Sequence, residues 1–264
     1  MHLQILSSGS RGNCTLVRAG EVNLLVDAGL TLRELEVRFE AARFSARDIH
    51  HIALTHGHLD HARSSGSLAK RTGATLHLCE RLMRNKSVEQ APIMQTLHVG
   101  TPVPLRTPRQ PEDVEALELL SVVIPHDAVP TVAFRLEHQG RRAVYLTDMG
   151  EPTPALAAQL HNAHVLVLEF NHDEEMLRKG PYPINLKKRV AGRGGHLSNR
   201  QAAEVLGHLA GPNLHTLFLA HLSDKNNTPE LALSTAREKL IELGMQHVQV
   251  HIASQDEIGI SIEV

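Results

Sequence analysis

The chain has 264 residues, and its charges nearly cancel, leaving a formal net charge of -2 at pH 7. This balance excludes a protein that binds nucleic acid through its overall charge, while a hydrophobic content of 42% suffices for a sizeable core of Leu, Val, Ile and Ala. Two cysteines, Cys14 and Cys79, exclude a disulfide scaffold and a four-cysteine zinc site. We expect a cytoplasmic protein without a signal peptide or a membrane segment.

Short apolar runs separated by turn residues predict a chain rich in strands. An antiparallel meander is predicted at residues 3–6, 14–19 and 22–27, followed by a helix at 32–42. Further strands are predicted at 51–55, 74–79, 118–124, 131–137, 142–147, 164–170, 215–220 and 247–253, and further helices at 65–72, 80–88, 198–209 and 229–243. This order predicts an α+β fold, a mixed sandwich with helices outside.

The stretch LTHGHLDHA, residues 54–62, places three histidines and an aspartate within six positions. These are His56, His58, Asp60 and His61. Imidazole and carboxylate groups at such spacing are typical of metal ligands in a loop, where alternate side chains point to different sides. We therefore interpret this stretch as part of a metal site.

Five of the predicted strands lead into polar residues of the kind that bind metals. The residues at these strand ends are His56, His126 with Asp127, Asp148, Glu169 with Asn171 and His172, and His221. Buried strands deliver their last residues to the edge of a sheet, where ligand sites commonly form. We expect these side chains to lie close together and to form one site at the edge of a sheet.

The ligand types favour two metal ions. The first would take His56, His58 and a third histidine, for which His126 is the natural choice. The second would take Asp60, His61 and His221, and Asp148 could bridge the two ions. Nitrogen and oxygen ligands suit Zn, Mn or Fe, and two adjacent ions can hold a shared hydroxide. Among the other histidines, His172 is either a partner of a ligand or a neighbour of a helix cap.

The motif T-H-G-H-L-D-H resembles the signature of the metallo-β-lactamase superfamily. This resemblance implies a single domain over residues 1–264, an αββα four-layer sandwich with a dinuclear metal site. The stretches SSGSRGN, PHDAVPTVAF, TDMG, EFNHDEEML, GPYPINLKKRV, GHLSN and HLSDKNN together resemble the YycJ/WalJ family. That resemblance implies a metal-dependent 5′-to-3′ DNA exonuclease linked to mismatch repair, in which a metal-bound hydroxide attacks the phosphodiester.

The C-terminal part is similar to the nuclease branch that includes tRNase Z. This similarity implies that Glu169 orients His196, which donates a proton to the leaving oxygen or braces the phosphate, beside Asp60 and Asp148 as catalytic ligands. Glu169 lies in EFNHD rather than in the His-Glu-Ala-Thr form of that branch, and no inserted tRNA-binding arm is evident. Both departures speak against tRNA processing.

Local charge points to a nucleic-acid partner, and the family resemblance implies that this partner is DNA. Residues 176–203 contain seven basic side chains and no acid, and a second basic enrichment covers 63–86. The candidate substrate-binding residues are Lys187, Lys188, Arg189, Arg193, Ser10, Asn13, Asn226 and Asn227. The loop at 7–13 could present backbone N–H groups to a terminal phosphate, although a tight hairpin turn explains its glycines equally well.

Two alternative functions stay open at this point. One is a small-molecule hydrolase of the same fold, a cyclic phosphodiesterase or a glyoxalase-type thioesterase, because these enzymes share H-x-H-x-D-H. The other is a metal-binding interaction protein without catalysis. The full ligand set argues against the second, and the acid-free basic segment beside His196 argues against the first.

Overall fold

The computed structural model describes all 264 residues. The chain divides into two compact units, the first formed by Met1–Ser121, Leu136–Arg141 and Ser254–Val264, and the second by Val122–Arg135 and Arg142–Ala253. A single domain over the whole chain stays a prediction. No helix in either unit has the length and apolar character needed to cross a membrane.

Most of the predicted strands and helices are present in the order that the sequence predicts. The strands β1 to β14 are His2–Ser7, Cys14–Ala19, Val22–Val26, His51–Ala53, Thr75–Leu78, Met94–Thr96, Val103–Leu105, Leu117–Ile124, Thr131–His138, Arg141–Leu146, Val165–Glu169, Thr216–Ala220, Gln249–Ile252 and Ser261–Glu263. The helices α1 to α8 are Leu32–Ala41, Leu59–Ala62, Ser65–Thr72, Ala157–Leu160, Glu174–Lys179, Ile184–Val190, Asn199–Leu209 and Pro229–Glu242. Single 3-10 turns cover Ala46–Asp48, Glu80–Arg84 and Pro154–Leu156.

The first unit contains a seven-stranded sheet in the order β14-β1-β2-β3-β4-β5-β6. The predicted meander is confirmed, since β1 pairs antiparallel with β2 and β2 with β3. From β3 onward the pairing is parallel through β4, β5 and β6. The C-terminal ends of β3 and β4 therefore lie at the same edge, and the loop that follows β4 carries His56.

A second seven-stranded sheet has the order β13-β12-β11-β10-β9-β8-β7, and the second unit contains β11, β12 and β13 whole. The pairings of β10 with β11, of β11 with β12 and of β12 with β13 are all parallel. Parallel strands present all their carboxyl ends at one edge. The residues that follow β10, end β11 and follow β12 therefore lie side by side.

The buried core confirms the expectation drawn from composition. It consists mainly of Leu, Val, Ile and Ala, with Phe134, Phe170 and Phe218 among its largest fully buried side chains. The helix predicted at 80–88 is wrong, because the structure has only the 3-10 turn at Glu80–Arg84. The short elements β6, β7, α2, α4, α5 and α6 were not predicted, since three to seven residues carry too little periodicity.

Neither cysteine is expected to react with thiol reagents in the folded protein. Cys14 is fully buried and Cys79 is 4% exposed, and burial raises the pKa of both thiols. The thiolate is the nucleophile, so both burial and the raised pKa suppress reaction. Incubation with a chromogenic disulfide at pH 8 should release two equivalents only after denaturation. Release of an equivalent from the native protein would contradict the burial of these side chains.

Candidate metal centre

The loop after β4 brings two histidine rings together in the first unit. His56 Nε2 and His58 Nδ1 lie 3.1 Å apart, and the side chain of His56 is fully buried. His58 is the N-cap position of α2, but its side chain makes no capping hydrogen bond. Two ring nitrogens that converge in this way offer two adjacent ligand atoms to a cation.

A buried aspartate, Asp27, holds the next candidate ligand on the loop, His61. His61 Nδ1 lies 2.7 Å from Asp27 Oδ2, and both side chains are fully buried. Asp27 also accepts hydrogen bonds from the backbone N–H and the hydroxyl of Thr55. The carboxylate fixes the proton of His61 on Nδ1 and leaves Nε2, which lies 3.6 Å from Asp60 Oδ2, as the ligand atom.

Close backbone contacts fix the position of Asp60. The backbone N–H of Asn13 donates to the carbonyl oxygen of Asp60 over 2.7 Å, and its side-chain Nδ2 lies 2.9 Å from His61 Nε2. Gly29 lies so close that a Cβ there would stand 1.7 Å from the same carbonyl oxygen. Asn13 is fully buried, so we assign it to positioning the loop rather than to contacting substrate.

Asp27→Asn should weaken metal binding without unfolding the protein. The amide is isosteric, but it cannot hold the proton of His61 as a carboxylate does, and such outer partners of ligands are worth about 10- to 100-fold in metal affinity. Metal affinity measured by competition with a chelating dye should fall by that factor, while the melting temperature of the metal-free protein changes little. Unchanged affinity would remove Asp27 from this role.

In the second unit, three parallel strands place acidic and imidazole groups at one edge. Asp148 lies two residues after β10, Glu169 ends β11 and His221 directly follows β12. Asp148 and His221 have φ values of 61° and 54°, in the left-handed region that non-glycine residues rarely adopt. Such strain is commonly kept where it aims a functional side chain, and Asp27 at the end of β3 shares it with φ 61°.

These strand ends and His196, three residues before α7, form one cluster. One ligand atom from each of Asp148, Glu169, His196 and His221 lies within 4.8 Å of the others. Glu169 Oε1 is 2.7 Å from His196 Nδ1 and 3.1 Å from His221 Nδ1, and Asp148 Oδ1 is 3.7 Å from His221 Nδ1. The other carboxylate oxygen of Glu169 accepts the backbone N–H groups of Met149 and Leu197.

This network fixes the charge states of the cluster. Burial opposes ionisation of Glu169, yet His196 and His221 outweigh it and lower the pKa of Glu169 to about 2. Burial also opposes protonation of His196, but Glu169 and Asp148 outweigh it and raise the pKa of that ring. The arrangement therefore favours an ionised carboxylate beside a protonated imidazole.

His126 joins this edge after β8. Its Nδ1 lies 2.9 Å from the carbonyl oxygen of Gly195, so the ring proton is held there and Nε2 is the basic nitrogen. Nε2 lies 3.9 Å from Asp148 Oδ1, with both side chains only 1% exposed. His61, His126 and His221 thus all have one ring nitrogen engaged by an oxygen, which fits the way that metal-binding histidines are held.

The structure does not place all predicted substrate-binding residues on an open surface. Asn226 is fully buried and Asn227 is 7% exposed. The side chain of Asn227 donates to the carbonyl oxygen of Phe170 and pairs with Asn199 at the start of α7. We therefore do not propose Asn226 and Asn227 as substrate contacts.

The loop at 7–13 is closed rather than open. The backbone N–H groups of Gly9, Arg11 and Gly12 donate to the Asn13 side chain, the Gln255 side chain and the Gly9 carbonyl oxygen. These donors are used within the unit, which favours the hairpin-turn interpretation over a phosphate cradle. Ser10 and Arg11 are the exposed residues at the tip of this loop.

Acids from outside the basic segment pair with five of its seven cations. These ion pairs are Arg178 and Lys179 with Glu175, Arg189 with Asp127, Arg193 with Glu151, and Arg200 with Glu174. Lys187 donates to the carbonyl oxygen of Arg178, and Lys188 is exposed. Exposed ion pairs contribute little to stability, so phosphate can replace the acids. The segment is nevertheless less positive than the sequence suggests.

His172 lies beside the starts of two helices. Its carbonyl oxygen accepts the backbone N–H of Asn199, the first residue of α7, and it directly precedes Asp173, the N-cap of α5. Its Nδ1 is buried without a hydrogen-bond partner, and burial lowers the pKa of the ring. His172 is therefore a helix-cap neighbour.

Sequence reasoning missed Asp27 and Gln255. Asp27 follows the apolar run VNLLV, so the rule of polar residues at strand ends could have identified it. Gln255 gives no signal in the sequence, because its role depends on contacts with Ser7, Arg11 and Gly12, more than 240 positions earlier.

Comparison with known proteins agrees with this geometry. Residues 22–221 match the family model described as "Beta-lactamase superfamily domain". Exodeoxyribonuclease YycJ of Bacillus anthracis is 32% identical over 92% of this chain and 90% of its own length. Exodeoxyribonuclease WalJ of Streptococcus pneumoniae is 32% identical over 90% of this chain and 87% of its own.

Solved structures show the same fold at low identity. The metallo-β-lactamase fold protein YhfI from Bacillus subtilis is 18% identical, has a TM-score of 0.69 and is matched over 99% of both chains. Zn²⁺-bound PqqB from Methylobacterium extorquens is 18% identical, with a TM-score of 0.68 over 100% of both chains. The chain therefore belongs to the metallo-β-lactamase superfamily and, within it, to the family of YycJ and WalJ. It is a metal-dependent hydrolase, and the predicted α+β fold class is confirmed.

Proposed function

We propose that this member of the superfamily is a dinuclear phosphodiesterase that degrades DNA from 5′ ends. The relatives at 32% identity are named exodeoxyribonucleases, which supports a DNA substrate. The direction of digestion follows the family resemblance of the sequence.

The observation that carries the proposal is the cluster of Asp148, Glu169, His196 and His221 at the carboxyl edge of β10, β11 and β12. Two buried carboxylates and two imidazoles, among them the Glu169–His196 pair, combine ligand atoms with a placed proton. This combination serves a reaction with a charged leaving oxygen.

The proposed ligands follow the grouping that the sequence indicates. One ion would be held by His56, His58 and His126. The second would be held by Asp60, His61 and His221, and Asp148 would serve both. Zn, Mn and Fe all suit this set of nitrogen and oxygen donors.

In the proposed mechanism, Glu169 orients His196 and His196 protonates the leaving oxygen. When bound, the two ions supply a nucleophile at neutral pH and neutralise charge on the phosphate oxygens. Glu169 holds the proton of His196 on Nδ1, which turns Nε2 away from the carboxylate. His196 then carries a proton on Nε2 and donates it to the leaving oxygen, and Glu169 stabilises the protonated ring.

The test is a digest with matched substrates. DNA and RNA, duplex and single-stranded, with and without a 5′ phosphate, would be labelled at either end and incubated with Mn²⁺ and the protein. An inactive variant prepared in parallel would exclude a contaminating nuclease. The expected result is stepwise loss of nucleotides from the 5′ ends of DNA.

Two other results would overturn parts of this proposal. Cleavage of bis(p-nitrophenyl) phosphate or of a thioester without cleavage of any polymer would identify a small-molecule hydrolase. Loss from 3′ ends, or preference for RNA, would reject the polarity or the substrate. Metal analysis of the purified protein gives an independent count, for which we expect two ions per chain.

His196→Ala should slow hydrolysis while the metal content stays unchanged. Removing a positioned proton donor typically costs about 10²- to 10⁴-fold in rate. The variant would be compared using DNA and using bis(p-nitrophenyl) phosphate, whose leaving group needs no proton, so the loss should be much smaller for the second substrate. Loss of metal from the variant would instead make His196 a ligand.

A further inference from the structure

We propose that Asp127 is a positioning residue that holds Arg189 beside His126, so that the guanidinium of Arg189 binds a phosphate of the DNA next to the one being cleaved. This inference rests on the proposed function and names the residues that engage the polymer. Both residues belong to the second unit, as do all the contacts used below.

Asp127 connects a candidate metal ligand to a cation. Its Oδ1 lies 3.4 Å from Nε2 of His126, and its Oδ2 accepts the Nε–H of Arg189 over 2.6 Å. The backbone N–H of Asp127 donates to the carbonyl oxygen of Gly194 over 2.9 Å, which fixes the carboxylate relative to the turn after α6. The side chain of Asp127 thereby holds Arg189 close to His126, a proposed metal ligand.

The pairing of Arg189 differs from that of the other arginines in the basic segment. Arg178, Arg193 and Arg200 each use Nε and an Nη group on the acid that they contact. Arg189 uses only Nε, and its side chain is 60% exposed. Guanidinium has five N–H donors, so the four on Nη1 and Nη2 are available to two oxygens of a phosphate.

The helix that carries Arg189 leads directly to the proposed proton donor. Val190, the last residue of α6, accepts the backbone N–H of His196 over 2.9 Å. A Cβ on Gly195 would stand 2.2 Å from the carbonyl oxygens of both Arg189 and Val190, so this connection admits no side chain. Arg189, His126 and His196 are therefore parts of one rigid junction, where a bound phosphate lies close to the chemistry.

The alternative role for Asp127 is that of a further metal ligand, since its Oδ1 is near Nε2 of His126. One of its two oxygens already serves Arg189, and the two roles predict different losses. A ligand should be needed for metal binding and for every substrate. A positioning residue should be needed only for substrates that reach Arg189.

The experiment compares Asp127→Asn, Arg189→Ala and the double variant with the unaltered protein. Steady-state kinetics would be measured on a 5′-phosphorylated DNA and on bis(p-nitrophenyl) phosphate, which is too small to provide a second phosphate. Binding of a fluorescein-labelled oligonucleotide would be followed by anisotropy between 50 and 200 mM salt, and metal content by mass spectrometry. Arg237→Ala on α8 removes an exposed arginine far from this junction in sequence and controls for net charge.

Arg189→Ala should raise KM and Kd for DNA about tenfold and reduce the salt slope by about one. Asp127→Asn should give a smaller change of the same kind, and it should have no further effect in the Arg189→Ala background. Metal content, hydrolysis of the small ester and the Arg237→Ala control should be unchanged.

Loss of metal or of small-ester hydrolysis in Asp127→Asn would make Asp127 a ligand and overturn the inference. Additive effects in the double variant would also overturn it, because Asp127 would then not act through Arg189. Failure of the unaltered protein to cleave DNA, with small-ester hydrolysis intact, would reject the proposed function instead. The anisotropy data would then still report whether Arg189 contacts phosphate.

Discussion

Asp148→Asn is expected to reduce hydrolysis to the level of a control without enzyme, while the protein stays folded. The carboxylate is 1% exposed and lies within 4 Å of ring nitrogens of His126, His196 and His221. An amide keeps the size of the side chain but removes the charge that offsets nearby cations. Without it, a bound ion loses a ligand that we propose to be shared.

Asparagine is the better substitution because Asp148 has a φ of 61°, a conformation that Asn tolerates and that would strain Ala. Circular dichroism and the melting temperature would report the fold, and metal analysis would report occupancy. Asp113→Asn, in an exposed loop of the first unit, controls for loss of one negative charge. Normal turnover by Asp148→Asn would reject Asp148 as a shared ligand.

The second large effect is expected for Gly29→Ala. The added Cβ would stand 1.7 Å from the carbonyl oxygen of Asp60 and 2.8 Å from the nitrogen of His61, so the loop must move by more than 1 Å. A misplacement of about 1 Å at a reacting site can cost about 10²-fold in rate. Forcing a methyl group into a closed space also costs typically about 1–3 kcal/mol of stability. We expect both losses together.

The control is Gly207→Ala in α7, where the nearest atoms to a Cβ are 3.9 Å away on the flexible Lys239 side chain. That substitution should leave activity unchanged and slightly stabilise the helix, since Ala favours helix over Gly by about 1 kcal/mol. Rates, urea unfolding and metal affinity would be measured for both variants. Full activity of Gly29→Ala would show that the loop around Asp60 and His61 adapts without loss of function.

Three residues at strand ends have a strained backbone conformation. Asp27, Asp148 and His221 each adopt a left-handed conformation immediately or shortly after a buried strand. Each such residue costs on the order of 1–3 kcal/mol and persists only where the surrounding structure holds it. Asp27, which orients His61, therefore has the same backbone conformation as the proposed ligands Asp148 and His221.

The sequence by itself determined the elements and the types of ligand. Apolar periodicity is local, so it identified β1 to β5, β8 to β13 and the helices α1, α3, α7 and α8 to within a few residues. Polar residues that follow parallel strands meet at one edge of the sheet, and this rule can be applied to predicted strands without coordinates. It correctly brought together Asp148, Glu169 and His221.

Only the tertiary structure decided which hydrogen bonds and ion pairs hold the loops and side chains around the site. Gln255 closes the loop at 7–13, Asn13 buttresses Asp60, and five of seven cations in the basic segment are paired with acids. Each of these facts depends on contacts between residues far apart in the chain or on the direction of a side chain. A net charge or a motif records which groups are present, whereas hydrogen bonds and ion pairs depend on distances that only the folded backbone sets.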